Sequence, residues 1–376
     1  MKLTTAGESH GKALVGIIEG LPSNLKIDFG EINEYLALRQ SGYGRGARQK
    51  IERDEVDILS GVRNLLTLGS PLAFSVRNRD YENWKEFMAP EGCDVTKRTV
   101  TRVRPGHADL TGMIKYDHTD ARNILERSSA RETAVRVVAG TVARQYLREL
   151  GVEISGYVKG VCGVIDPNIY AFESLSAAKT QPLFMLDDEV QKRAMQTIDE
   201  LKNNGDTAGG LIEVRVKGLK SGFGSCMQYS DKLDASLCGA VMGVQAIKGV
   251  EIGLGFSAAT LPGSKVHDEI YFDGKFRRRT NNAGGIEGGM SNGEEIVLRA
   301  AMKPIPTLMR GLGTVDYLTK SPETADSERS DVAAICAAEI VVESVVAFTI
   351  AQAVVKRLGG DNMREVKERY SLLKEV

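Results

Sequence analysis

Little in this chain would staple it, anchor it or commit it to a highly charged partner. Its five cysteines (Cys93, Cys162, Cys226, Cys238, Cys336) are scattered, with no CxxC pair and no metal-ligand spacing. Dispersed thiols in odd number argue against a disulfide framework and predict reduced, cytoplasmic cysteines. Neither sign of charge is in excess: 49 Lys and Arg face 50 Asp and Glu, for a formal net charge of −1. The basic footprint of a nucleic-acid binder is therefore missing, so positive charge for an anionic ligand has to be concentrated locally. No signal-peptide run follows Met1, because the chain reaches a Gly-Glu-Ser-His-Gly turn at once. Residues 332–355 are rich in Ala, Val and Ile, but Glu339 and Glu343, four apart on one helical face, make a membrane span expensive. A buried core helix is expected there, closing with Lys356 and Arg357 before Gly359-Gly360. Neither a P-loop nor a dinucleotide fingerprint is present, so a Rossmann domain is rejected.

Glycine is what the chain has in quantity. Its 40 glycines sit in short clusters, which predicts tight turns and close backbone approaches rather than disorder. With 42% hydrophobic and 26% charged residues, the composition is that of a globular protein. Residues 1–20 read as a hairpin turning at Gly7-Glu8-Ser9-His10-Gly11. Asp28 to Glu31 reads as a capping box opening a helix with Ile32, Tyr35 and Leu36 inward. Ser129 to Glu132 reads as a second box, opening a long helix on Val135, Val138, Val142, Tyr146 and Leu150, with Gly151 beyond its end. Residues 211–217 alternate like a strand with one wet face, helices are expected near 232–248 and 331–357, and the polar segment 165–205 reads as a peripheral helical excursion. The sum is one α+β domain over residues 1–376, helices central and antiparallel strands around them.

Five constellations carry chemistry. Arg39, Arg45, Arg48, Lys50 and Arg53 surround a glycine-rich loop, and Arg102 and Arg104 stand beside His107. Guanidinium forks suit carboxylates and phosphates, although either segment alone also reads as a solvated basic loop. His10 and His107 lie in Gly-flanked turns and are candidates for proton transfer, whereas His118 and His267 lie in polar stretches and read as surface residues. Arg127-Ser128-Ser129 leads into a capped helix start, either an anion site or an ordinary cap. Residues 281–293 form a backbone-rich loop, and Lys303 and Thr307 project from a proline-kinked segment. Arg329-Ser330-Asp331 heads the last long helix, where Asp331 acts either chemically or as a helix cap.

In order along the chain, GESHG (7–11), SGYGRGARQKIERD (41–54), RPGHADL (104–110), ERSSARETA (126–134), GGMSNG (288–293), MKPIPT (302–307) and SERSD (327–331) resemble the chorismate synthase family in both string and spacing. The ordered set is specific where no single string is. The GYGRG form and short loops resemble the compact bacterial type, and the one departure is a missing proline near Cys336. The resemblance implies a single-domain β-α-β sandwich, a helical core between antiparallel sheets, assembled as a cytoplasmic homotetramer. It implies a lyase that removes phosphate from 5-enolpyruvylshikimate-3-phosphate by anti 1,4-elimination, forming chorismate at the last common step of the shikimate pathway to aromatic amino acids. Reduced FMN (FMNH2) is the implied cofactor, with no net redox change and no metal.

By the same motif match, Arg39, Arg45, Arg48, Arg104, Arg131, Arg329 and Ser330 bind substrate, whose two carboxylates and phosphate require several arginines. His10 serves the departing phosphate, His107 the reduced flavin ring, and Asp331 relays the proton lost from C6. Cofactor contacts are implied at Arg127, Ser128, Ser129, Gln245, Ala246, Gly288, Lys303, Pro304, Ile305, Pro306 and Thr307, with Arg329 shared. The motifs leave open whether NADPH reduces the flavin on this chain, at Arg39 and Arg45, or an external flavin reductase does so. Two other classes compete. A flavin reductase would not need six arginines arranged for a small polyanion. An RNA-binding protein would bind in a salt-dependent way that the net charge opposes, and neither nucleic acid nor membrane is expected as a partner.

Overall fold

The first two strands, β1 (Lys2–Ala6) and β2 (Ala13–Glu19), form the expected hairpin, with Lys2 opposite Glu19 and Ala6 opposite Val15. They join β3 (Val56–Ser60) and β4 (Leu72–Arg77) in an antiparallel sheet of order β1-β2-β4-β3. Between them runs α1 (Phe29–Gln40), capped as expected: the Asp28 side chain accepts from the Glu31 N–H, and Ile32 and Leu36 are buried. The structure, a computed structural model, describes residues 1–46, 53–325 and 331–374.

Two short helices, α2 (Asp109–Tyr116) and α3 (Arg122–Ser128), precede α4 (Thr133–Arg148). The second capping box does not form. Ser129 accepts from the Arg131 N–H in a 3-10 turn, and Glu132 faces Thr5 and Arg136 instead of reaching back. The far end is as expected: Gly151 has φ +74°, and the Val152 N–H bonds Leu147 O in a Schellman closure.

A second antiparallel sheet has the order β8-β9-β7-β5-β6, built from β5 (Glu153–Val161), β6 (Val164–Ile165), β7 (Gly210–Lys217), β8 (Ile247–Ile252) and β9 (Ile296–Met302). The expected wet face of β7 is in fact covered. Ile212, Val214 and Val216 face the core, but Glu213 and Arg215 on the opposite face are also buried, ion-paired at 2.7 Å, with Arg215 donating to Tyr170 O. The covering comes from the segment expected to be peripheral, whose 3-10 turn Phe172–Thr180 packs on β5 before α5 (Asp188–Asn203). The helix expected near 232–248 is shorter, α6 (Leu233–Met242), because the chain turns at Gly243 into β8.

The long apolar segment is α7 (Ile335–Leu358), followed by α8 (Met363–Ser371). It is the one helix among the described residues long and apolar enough to cross a membrane, and it is mostly buried within the protein. It packs on α4 and α1 on one side and on β5 and β7 on the other, while α4 packs on β2 and β4. Gly140 makes the α4–α7 crossing possible, since a Cβ there would lie 2.4 Å from Ser344 Cβ. Glu339 and Glu343 are fully buried on α7 and neutralised locally: Lys179 contacts both, and Arg144 pairs with Glu343. Glu343, the one of the two that pairs with both cations, meets the requirement that a buried charge be paired.

Candidate active site

The helical layer and the ends of both sheets surround a cavity of about 610 Å³, within the range of ~300–1,000 Å³ usual for small-molecule sites. His10 enters it from the β1–β2 turn and is 9% exposed. Glu126, near the end of α3, holds that turn: its carboxylate accepts from the His10 backbone N–H at 2.8 Å and lies 2.9 Å from His10 Nδ1. Burial alone would raise the Glu126 carboxyl, but the hydrogen bonds from His10 and the charge of Arg122 outweigh it, so its pKa is lowered.

His107 is arranged in the same way on the turn before α2. Its Nδ1 lies 2.6 Å from Asp109 Oδ1, while Arg104 donates to the same carboxylate through Nε at 2.8 Å. Asp109 is completely buried. Desolvation pushes its pKa up, yet the bonds from His107 and Arg104 prevail and hold it well below the usual range.

Asp54, just before β3, lies between two arginines whose guanidiniums face the cavity. Its Oδ2 is 2.6 Å from Arg131 Nη1 and 3.4 Å from Arg39 Nη1. Arg39 also donates to Thr133 Oγ1 and Ala130 O, which fixes the fork. Burial lowers the Arg39 pKa to about 10, with Asp54 pulling it back up, so it stays charged at neutral pH. Asp331 does not cap α7, which starts at Ile335 after an N-cap, Ala334, that makes no side-chain cap bond. Its Oδ1 instead accepts from the Gly46 N–H at 2.6 Å, and its Oδ2 pairs with Arg45 Nη1 at 2.8 Å. The capping alternative for Asp331 is thereby removed.

A third wall comes from the α6–β8 turn and the segment after β9. Gln245, Ala246, Lys303, Ile305, Pro306 and Thr307 line it, and Ser128 and Ser129 line the same cavity. Ala246 sits at φ +68°, a left-handed conformation that costs an alanine about 1 kcal/mol or more, and its carbonyl accepts from the Lys303 N–H. The Lys303 ammonium donates to Gly106 O, and burial, with Lys248 nearby, lowers its pKa. Among the described residues it is the cavity cation held by a carbonyl and not by a carboxylate. Among the described residues, Ser128 Oγ and Gln245 Oε1 are buried without a hydrogen-bond partner, and such orphans call for a ligand or water.

The cavity thus gathers His10, His107, Arg39, Arg45, Arg104, Arg131, Asp331 and most of the cofactor set foreseen from the sequence. Arg127, Gly288 and Pro304 do not line it. Arg127 reaches back to Gly7 O and Thr5 on β1, and Gly288 sits in a hairpin turn at φ +59° beside Cys226. Arg48, Arg329 and Ser330 lie outside the described residues. Sequence reasoning missed Ser9, Trp84 and Arg122, which also line the cavity, and the carboxylates Asp54, Asp109 and Glu126 behind it. Four of these lay inside strings already singled out: Ser9 precedes His10 in the first turn, Asp54 closes the basic loop, Asp109 follows the histidine turn, and Glu126 opens the serine-rich string. Trp84 and Arg122 had no local signal.

Buried positive charge focused on one cavity, with two carboxylate-backed histidines at its wall, is the design of an enzyme acting on a small polyanion. A family model described as chorismate synthase matches residues 1–355. The chain is 53% identical to chorismate synthase of Geobacter sulfurreducens, covering 98% of this chain and 97% of the relative. It is 55% identical to that of Geobacter metallireducens and 51% identical to that of Alkaliphilus metalliredigens, at similar coverage. A solved crystal structure of chorismate synthase superposes with a TM-score of 0.79 at 39% identity, covering 98% of this chain and 96% of the other. The chain belongs to the chorismate synthase family, a family of lyases.

Proposed function

We propose that this lyase carries out its family's reaction in the cavity described above: anti 1,4-elimination of phosphate from 5-enolpyruvylshikimate-3-phosphate, giving chorismate at the last common step of the shikimate pathway. The observation that carries the reading is the charge arrangement, in which Arg39, Arg131, Arg104, Arg122 and Arg45 all face one cavity and each is anchored by a buried or half-buried carboxylate. Guanidiniums held in place from behind bind two carboxylates and a phosphate without reorganising.

Within the cavity His10 offers its free ring nitrogen to the departing phosphate, and His107 does the same toward the cofactor wall. Asp331, beside Arg45, takes the proton leaving C6. Reduced FMN suits the third wall: Lys303 would hold its phosphate, while Ser128 and Gln245 would give their orphaned atoms to its polar groups. When bound, the reduced flavin supplies transient electron donation with no net redox change. Two antiparallel sheets around the α1/α4/α7 layer support a β-α-β sandwich spanning residues 1–376 as one domain. We place the enzyme in the cytoplasm as a homotetramer. NADPH, bound near Arg39 and Arg45, or an external flavin reductase supplies the reduced cofactor.

The test is an anaerobic assay with 5-enolpyruvylshikimate-3-phosphate and chemically reduced FMN, with and without NADPH. Chorismate and phosphate are expected in equal amounts with no net NADPH oxidation once the flavin is reduced. Equal turnover without flavin, or none with reduced FMN, defeats the reading.

A further inference from the structure

We propose that Glu126 and Trp84 are positioning residues for His10: Glu126 fixes the ring proton on Nδ1, Trp84 clamps the ring face, and Nε2 is thereby the nitrogen turned to the ligand. The inference rests on the proposed role of His10 at the departing phosphate.

Glu126 binds the His10 turn at three points. Its backbone carbonyl accepts from the Ser9 N–H at 2.9 Å, and its carboxylate from the His10 N–H at 2.8 Å. The third contact is His10 Nδ1, 2.9 Å from Oε1 and 3.0 Å from Oε2. The carboxylate is 3% exposed as a residue and kept ionised by its neighbours, so it can only accept. Nδ1 must then carry a proton whether the imidazole is neutral or charged, the arrangement by which a carboxylate fixes a histidine tautomer. Nε2 is left as a lone pair in the neutral ring and as an N–H donor in the charged ring, the form a departing phosphate oxygen needs. An imidazole without this partner is free to place its proton on Nε2 and to turn about its side-chain bonds.

The ring is also held by its face. Trp84 stacks on His10 with centroids 3.9 Å apart and planes 29° apart. The indole is anchored in turn, since Trp84 Nε1 donates to Asp80 Oδ2 at 2.9 Å and the Arg98 guanidinium lies 4.1 Å from the ring centroid. Edge and face are therefore fixed by two residues that Arg122 also links, since its guanidinium pairs with Glu126 and lies 4.9 Å from the indole centroid.

The experiment uses the full chain with 15N-labelled histidine, the His10 signals being identified by their loss in His10→Asn. Two-bond 15N–1H correlations are expected to show Nδ1 protonated in the native protein. Glu126→Gln, nearly isosteric and still an acceptor, is expected to keep that tautomer but to lose about 10–100-fold in kcat with little change in KM. Glu126→Ala is expected to place the proton on Nε2. As Trp84 is the only tryptophan, its emission reads the stack directly, and Glu126→Ala is expected to shift it toward that of His10→Asn. An Nε2-protonated His10 in the native protein, or an unchanged tautomer and emission in Glu126→Ala, overturns the positioning role. A switched tautomer with normal kcat removes His10 from the reaction instead, so the two failures are told apart.

Discussion

Asp54→Asn tests how the anion pocket is built. Asp54 Oδ2 lies 2.6 Å from Arg131 and 3.4 Å from Arg39, and all three residues are less than 10% exposed. The asparagine keeps one acceptor for Arg131 but removes the charge, leaving two buried guanidiniums facing each other. Arg39, lowered only to about 10, cannot escape by losing its proton at neutral pH. Breaking a buried pair from one side costs about 3–5 kcal/mol, and the surviving hydrogen bond, worth about 1–1.5 kcal/mol, puts the expected loss near the lower end, about 3 kcal/mol. Bound substrate returns negative charge to the same arginines. Urea denaturation of both proteins, with and without saturating 5-enolpyruvylshikimate-3-phosphate, closes the cycle: the deficit is expected to shrink by about 1–2 kcal/mol when ligand is present. That difference equals a substrate affinity about 5–30-fold tighter in the variant, while kcat falls because the forks are no longer held. A variant as stable as the native protein, or a deficit that ligand leaves unchanged, refutes the shared-carboxylate reasoning.

Other expectations follow from single contacts. Asp331→Asn keeps the Gly46 bond and leaves α7 intact, so a thermal melt should move little, whereas single-turnover rates with C6-deuterated substrate should fall by about 100-fold or more if Asp331 takes the proton; a wild-type rate returns it to a structural partner of Arg45. Lys303→Ala should weaken FMN binding, read by flavin titration, more than it slows chemistry at saturating flavin, and unchanged affinity removes the phosphate-grip assignment. The buried Glu339 carboxyl is raised to about 8, first by burial and then by Glu343, against the pull of Lys179. A raised folded-state pKa means that its contribution is fully present below about 4.5 and lost as pH rises through about 8. Glu339→Gln should therefore flatten the fall in stability over that window, measured by urea melts at stepped pH, and an unchanged slope places the titration elsewhere.

Much of this protein was legible in its sequence because the relevant physics is local. The Asp28 cap, the Schellman end at Gly151, the β1–β2 hairpin and the burial of the last long helix depend on residues a few positions apart, where hydrogen-bonding side chains and apolar periodicity act directly. The ordered glycine- and arginine-rich strings likewise named most of the cavity wall. Long-range packing decided the rest. The alternation at 211–217 describes a strand but cannot say what lies on its outer face, and the 165–205 segment buried Glu213 and Arg215 there. Asp331 was a helix-head carboxylate by position, yet the helix starts four residues later and Arg45, 286 positions away, takes its charge. Glu132 abandoned its capping box for Thr5 because β1 lies beside that turn. The carboxylates behind the cavity cations and the Trp84 clamp on His10 come from elements brought together only by the fold. A guanidinium's or imidazole's chemistry is set by the partner within about 3 Å of it, and that partner is chosen by tertiary packing, not by neighbours in the chain.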